Sequence, residues 1–235
     1  MGKKELDGSG YDGEEDMNGD RDCGRDSEKK SEEKSEENSE KKGEKKPVKL
    51  VTERLVLRPW QVSDAQSLYA YANDPQVGPA AGWPVHTSVA DSRRIIRELL
   101  SDDETYAVVP RVQGEERAVG SIGLMIGEKS DLGIAGDEAE IGYWIGRPFW
   151  GQGLIPEAVE RLMAYAFETL GMTSLWCGYF AENEKSKRVQ EKCGFRYHHT
   201  RAERLWPLIN EPKTEHVTRL TREEWRERRD RIGES

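Results

Sequence analysis

The sequence predicts a mixed α/β fold, an α+β sheet of about six or seven strands flanked by about four helices. Three observations predict it. Strand-like and helix-like runs follow one another in the order β, α, α, β, β, β, α, β, α, β, β, the pattern of a mixed sheet with helices packed on it. Residues 154–170 carry Leu154, Ile155, Ala158, Val159, Leu162, Met163, Ala166, Phe167 and Leu170 at helical spacing. A short loop rich in small residues joins that helix to the strand-like run before it.

The elements take their places as follows. Residues 50–57 hold Val51, Leu55, Val56 and Leu57 and read as a first strand. Ser63 followed three residues later by Gln66 matches a capping box, and the helix it opens ends near Ala72, where Asn73, Asp74 and Pro75 stop it. Residues 74–86, with three prolines, two glycines and Trp83, form an irregular loop. Residues 88–100 read as a second helix with Val89, Ile95, Ile96, Leu99 and Leu100 as its apolar stripe. Residues 105–110 and 117–126 read as paired strands, with Gln113, Gly114 and Glu115 as their turn. A polar loop over 128–137 leads to a strand over 139–146. The long helix follows, with Pro156 in its first turn and Gly171 at its C-terminal end. Then come a strand over 174–180, a short helix over 183–192, a strand over 195–201, a loop over 204–214 and a strand over 216–220. Residues 221–231 are charged and helix-prone, with Trp225 expected to pack back.

Composition divides the chain. Residues 1–47 carry 11 basic and 16 acidic side chains and almost nothing apolar, so they read as a disordered, low-complexity charged tail. Residues 48–225 form one domain, and residues 226–235 a short charged C-terminal tail. Neither the chain nor its core is basic enough for a general nucleic-acid binder. Cys23, Cys177 and Cys193 have no metal spacing, and His86, His198, His199 and His216 form no metal signature, so no metal is expected. The acidic N-terminus lacks the apolar core of a secretion signal, and no run reaches transmembrane length. These features predict a cytoplasmic protein without a membrane partner; either a monomer or a homodimer fits.

The loop Trp150, Gly151, Gln152, Gly153 opens a helix, where free backbone N–H groups favour a diphosphate. A plain strand-to-helix turn is the competing reading. A dinucleotide fingerprint needs a glycine at the position of Pro156, and an NTPase loop needs Gly-Lys-Ser/Thr; both are absent. A second constellation lies downstream: Asn183, Ser186, Val189, Lys192, Gly194 and Phe195, at offsets 0, 3, 6, 9, 11 and 12.

Together with Glu140, Ile141, Gly142, Tyr143, Trp144 and Ile145, and with Glu157 and Ala158, these residues resemble the GNAT superfamily of acyl-coenzyme A N-acyltransferases. Thr52 to Arg58, Asn73 to Pro75, Trp83-Pro84 and Leu220 to Trp225 resemble its branch of ribosomal-protein N-terminal acetyltransferases. The likeness spans roughly 48–225. It implies a GNAT-type sheet and acetyl-coenzyme A (acetyl-CoA) as co-substrate. Its diphosphate would sit on the backbone N–H groups of Gly151, Gln152, Gly153 and Leu154. Its pantetheine arm would run along the strand at Trp144 and Ile145 and bond Asn183, a residue equally suited to cap a helix. Many members carry Gln or Arg where Pro148 stands here; Arg147 beside it would face a phosphate or simply solvent.

The chemistry needs a base to deprotonate the acceptor amine, and Glu140 is the candidate, with a structural ion pair as the alternative role. A backbone N–H near Trp144 and Ile145, splayed by a bulge, would meet the oxyanion. Much of the superfamily has Tyr seven residues after the Asn; here Gln190 stands there and cannot act as an acid, so Ser186 is the candidate donor to the leaving thiolate. Trp83 and Trp206, in loops over 74–87 and 201–214, are candidate walls of the acceptor cleft. The resemblance implies transfer of acetyl to a primary amine, with a protein or peptide N-terminus favoured. A small-molecule amine and a non-catalytic acyl-coenzyme A-binding regulator are the alternatives.

Overall fold

A computed structural model of the protein describes residues 48–112 and 116–233. The charged tail 1–47 and the turn at Gln113, Gly114 and Glu115 lie outside the described residues. The strands are β1 (Leu50–Val51), β2 (Leu55–Pro59), β3 (Thr105–Pro110), β4 (Gly120–Ile126), β5 (Glu138–Ile145), β6 (Ser174–Phe180), β7 (Arg196–Trp206) and β8 (Glu211–Thr221). The helices are α1 (Ala65–Ala72), α2 (Val89–Ile95), α3 (Leu154–Glu168), α4 (Glu184–Lys192) and α5 (Arg222–Gly233). The strands form one mixed sheet in the order β1-β2-β3-β4-β5-β6-β8-β7. Among the described residues, eight strands and five helices slightly exceed the number expected.

Strand alternation divides the core between the two faces of the sheet. Tyr106 and Val108 of β3 and Ile141 and Ile145 of β5 join α3 in one apolar cluster. Ala107 and Val109, on the other side of β3, join α1 and Ile96 in a second. The α3 stripe is buried as its spacing predicts, from Leu154 and Ile155 through Phe167. Each such large side chain contributes roughly 1.5–3 kcal/mol. Gly171 closes the helix end at φ 75°.

β5 and β6 are parallel and pair only from Glu138–Ser174 to Glu140–Trp176. Beyond that point β5 keeps its register with β4 alone, through Ile145–Gly120. The sheet therefore splits in its middle, and the split positions the cleft. The β4–β5 register has no bulge, which corrects the expectation that one splays the backbone at Trp144; divergence from β6 does so instead.

Several elements differ from the reading of the sequence. The first strand is two, since residues 52–54 turn the chain and β1 pairs antiparallel with β2. Ser63 does not cap α1. A 3₁₀ turn (Val62–Asp64) precedes the helix, and the Asp64 carboxylate accepts from the Gln61 N–H at 2.9 Å and from Arg58 at 2.7 and 2.8 Å. The second helix changes to a π turn (Ile96–Leu100), which rotates Leu99 out to 64 % exposure. The loop expected over 204–214 belongs to a long hairpin of β7 and β8, whose polar side chains and prolines hid its strand character. The last helix, α5, forms where the charged segment over 221–231 was expected to be helical, and Trp225 packs back on Phe167 at 5.1 Å as expected. No helix among the described residues is long and apolar enough to cross a membrane, and no group of His, Cys, Asp or Glu among them is placed to hold a metal.

Candidate functional site

The split between β5 and β6 opens into a cleft of about 1100 Å³, walled by β5, β6, α4, the loop before α3, residues 76–81 and the β7–β8 hairpin. Gly151, Gly153, Leu154, Trp144, Ile145, Asn183, Ser186, Glu140 and Trp206 all line it. Two expected residues do not. Gln152 is exposed, its side-chain amide donating to the Pro148 carbonyl at 2.8 Å. Trp83 packs instead on Trp144 and His86, at 5.6 and 5.2 Å, and so supports the cleft from behind.

Gly151 and Gly153 stand at φ 75° and 73°, the left-handed region that other residues enter at a cost, and this conformation turns the chain into α3. Arg54 holds the loop from outside. Its guanidinium donates to the Gln152 carbonyl at 3.0 Å, to the Gly153 carbonyl at 3.3 Å and to Glu157 at 2.6 Å. Glu157 in turn accepts from the Thr52 hydroxyl at 2.5 Å and the Arg54 N–H at 2.9 Å. Burial pushes the Glu157 carboxyl up, but these donors outweigh it and hold it below the usual carboxylate range. With its carbonyls turned to Arg54, the loop is left to present N–H groups and the positive end of α3. Arg147, by contrast, is paired with Asp74 at 2.8 Å. Lys185, Arg188 and Lys192 of α4 also line the cleft, and the Lys185 Nζ stands 3.6 Å from the Trp150 ring centroid.

Asn183 caps α4, accepting from the Ser186 N–H at 3.1 Å, while its amide donates to the Ala80 carbonyl at 3.1 Å. The Ser186 hydroxyl bonds side chains rather than the backbone of its own helix. It lies 2.9 Å from the Tyr143 hydroxyl and accepts from the Gln190 amide at 3.2 Å.

Glu140 accepts from the Ser130 hydroxyl at 2.6 Å. Burial, opposed by the Ser130 bond and reinforced by Glu215 and Asp131, pushes its carboxyl up to about 7. Glu215 was not expected here, because β8 begins earlier than the sequence suggested. It is buried beside Arg201 at 3.1 Å, and its carboxyl too is pushed by burial to about 7. Gly178 makes room for it: a Cβ there would lie 2.2 Å from the Glu215 Oε1. Arg201 also pairs with Asp131 at 2.9 Å. The signal that could have revealed Glu215 is its alternation with Val217, an inward position in a strand.

A raised carboxyl stabilises the fold below its ordinary pKa and loses that contribution as pH rises through about 7. Glu215→Gln is therefore expected to raise stability by about 2 kcal/mol at pH 8 and to change it little at pH 5. Thermal melts at the two pH values check this; equal shifts at both would show that Glu215 is ionised throughout.

Comparisons with known proteins agree on one family. The model of the "Acetyltransferase (GNAT) domain" family matches residues 54–196. The Bacillus subtilis protein named "Putative ribosomal N-acetyltransferase YdaF" is 32 % identical over 149 residues, 62 % of this chain and 79 % of that protein. The structure "of a putative ribosomal-protein-serine acetyltransferase from Vibrio cholerae" superposes with a TM-score of 0.60 at 25 % identity, covering 74 % of this chain and 97 % of that one. Mycobacterium smegmatis RimJ in complex with CoA-disulfide shares the fold, with a TM-score of 0.59 at 20 % identity over 76 % of this chain and 88 % of that one.

Proposed function

The chain belongs to the GNAT acetyltransferase family and is an acetyl-CoA-dependent N-acetyltransferase, and on that premise we propose that it acetylates the N-terminal amine of a protein or peptide. The observation that carries the reading is the pair of buried carboxyls, Glu140 and Glu215, in a cleft whose opposite end is the glycine turn into α3. A cationic amine is drawn to carboxylates, and a diphosphate to a helix N-terminus. The names of the relatives, ribosomal acetyltransferases, favour a protein acceptor among amines.

In this reading the thioester lies at the split between β5 and β6. The N–H groups of Gly151, Gly153 and Leu154, with that of Gln152, hold the diphosphate, and the β5 edge at Trp144 and Ile145 guides the pantetheine. Glu140, with a carboxyl poised near 7, takes the proton of the incoming ammonium. Glu215 holds the cation beside it. The free amine attacks the thioester carbonyl, a backbone N–H at the split meets the oxyanion, and the Ser186 hydroxyl meets the departing thiolate. Lys185, Arg188 and Lys192 balance the phosphate charge.

Arg54 touches neither substrate but fixes the loop. Arg54→Ala is expected to weaken acetyl-CoA binding about tenfold, roughly 1.4 kcal/mol, with kcat nearly unchanged. Initial rates against acetyl-CoA concentration check it; a fall in kcat at constant KM would mean that the loop does not hold the diphosphate.

A small-molecule amine is the second reading. It draws on the Asn183–Ala80 bond and on Gly82 packed against the Trp206 indole, which narrow the cleft mouth. Mass spectrometry on a mixture of N-terminal peptides and amino sugars, incubated with enzyme and acetyl-CoA, distinguishes the two. Acetyl groups on peptide N-termini support the first; acetylation confined to the amino sugars overturns it.

A further inference from the structure

We infer that Tyr143 and Gln190 are positioning residues that aim the Ser186 hydroxyl proton into the cleft. The inference rests on the reading of Ser186 as the group that meets the departing thiolate.

Gln190 is almost fully buried, on the side of α4 that faces the sheet. Its amide nitrogen donates to the Gly178 carbonyl at 3.0 Å, and its oxygen accepts from the Thr218 hydroxyl at 2.7 Å. A carbonyl can only accept, so Gly178 fixes which end of the side chain is nitrogen. The second N–H of that nitrogen then points to the Ser186 Oγ, at 3.2 Å. One acceptor position of the serine is filled.

The other is assigned to the Tyr143 hydroxyl, which has the Ser186 Oγ at 2.9 Å and the Ser186 carbonyl, less favourably, at 3.3 Å. Burial raises the phenol well above its ordinary range, so it keeps a proton to give. Either oxygen can donate across the 2.9 Å contact, and in the proposed arrangement the phenol gives its proton to the Ser186 Oγ. A hydroxyl has two acceptor positions and one proton. With both acceptor positions taken by Gln190 and Tyr143, the Ser186 proton is left with the remaining direction, and Ser186 and Tyr143 both line the cleft.

This arrangement gives Gln190 a role. It cannot supply a proton, but it can force the serine to offer one. As the thioester C–S bond breaks, the electron pair leaves on sulfur, and the charge is met by the oriented O–H. The serine keeps its proton, because a thiolate is far more stable than an alkoxide. Catalysis here is a preorganised hydrogen bond rather than proton transfer.

The test uses coenzyme A itself and needs no acceptor. The apparent thiol pKa of enzyme-bound coenzyme A is read from the pH dependence of its alkylation by iodoacetamide, followed by mass spectrometry. It is measured for the wild-type protein, Tyr143→Phe, Ser186→Ala and the double variant, with calorimetric affinity for coenzyme A as a check on folding. In the wild type the bound thiol should titrate below free coenzyme A. Tyr143→Phe should raise it by about one unit, Ser186→Ala should raise it at least as far, and the double variant should equal Ser186→Ala. A Tyr143→Phe shift of the same size with and without Ser186, or no shift, overturns the positioning role alone. No shift in Ser186→Ala overturns the reading of Ser186, and the inference with it. Should Tyr143→Phe not fold, Gln190→Met removes the other donor and poses the same comparison.

Discussion

Gly153→Glu is expected to abolish acetyl-CoA binding, raising Kd at least a hundredfold, about 2.7 kcal/mol, while the protein stays folded. Two effects add. Glutamate at φ 73° pays about 1–2 kcal/mol of backbone strain, which distorts the turn that presents the N–H groups. Its carboxylate also puts a negative charge at the helix N-terminus proposed to hold a diphosphate, and so opposes the attraction. The fold survives because the position has room; the nearest atom to an added Cβ is the Arg54 Nη2 at 3.6 Å. Gly153→Ala separates the effects, since it brings strain without charge and should bind more weakly than wild type but better than Gly153→Glu. Calorimetry checks both, and an unchanged affinity in Gly153→Glu would remove the diphosphate from this loop.

The second large effect belongs to Glu140. Glu140→Gln is expected to lower turnover about a hundredfold, with most of the loss below the pKa of the acceptor amine. The sign follows from the raised carboxyl. A base titrating near 7 is protonated and idle in acid, so the wild-type rate climbs as pH passes through about 7. The glutamine variant has no such limb and depends only on the fraction of amine already free. The two profiles should converge at high pH, where the amine needs no base. Parallel profiles, or a variant as active as the wild type, would assign Glu140 a structural part in the Ser130, Glu215 and Asp131 network.

How far the fold and site were legible follows from where the information resides. The α3 stripe and the β3 and β6 runs are set by local periodicity, and the structure places them as the spacing predicts. The glycine loop was legible because positive φ and a helix start leave a mark on residue choice. The β7–β8 hairpin was not. Its strands carry exposed polar residues, two register shifts and a left-handed Glu203, so their pairing is a tertiary fact. Glu215 was lost with it. The split of the sheet, which turns Glu140 from a strand residue into a cleft residue, is equally a property of how far β5 and β6 pair. Ser186 was singled out by its spacing from Asn183, but its partners Tyr143 and Gln190 come from a strand and from the next turn of the helix and meet it only in the fold.

The acceptor is recorded least clearly of all, since it depends on the mouth formed by residues 76–81 and the hairpin. The most direct test is therefore functional. The purified protein is mixed with acetyl-CoA and a panel of peptides and small amines, and free thiol is followed with time. The account predicts amine-dependent thiol release that saturates with acetyl-CoA, is lost in Gly153→Glu and is strongly reduced in Glu140→Gln. Acetyl-CoA binding without thiol release for every amine in the panel would contradict it and would point to an acyl-coenzyme A-binding regulator.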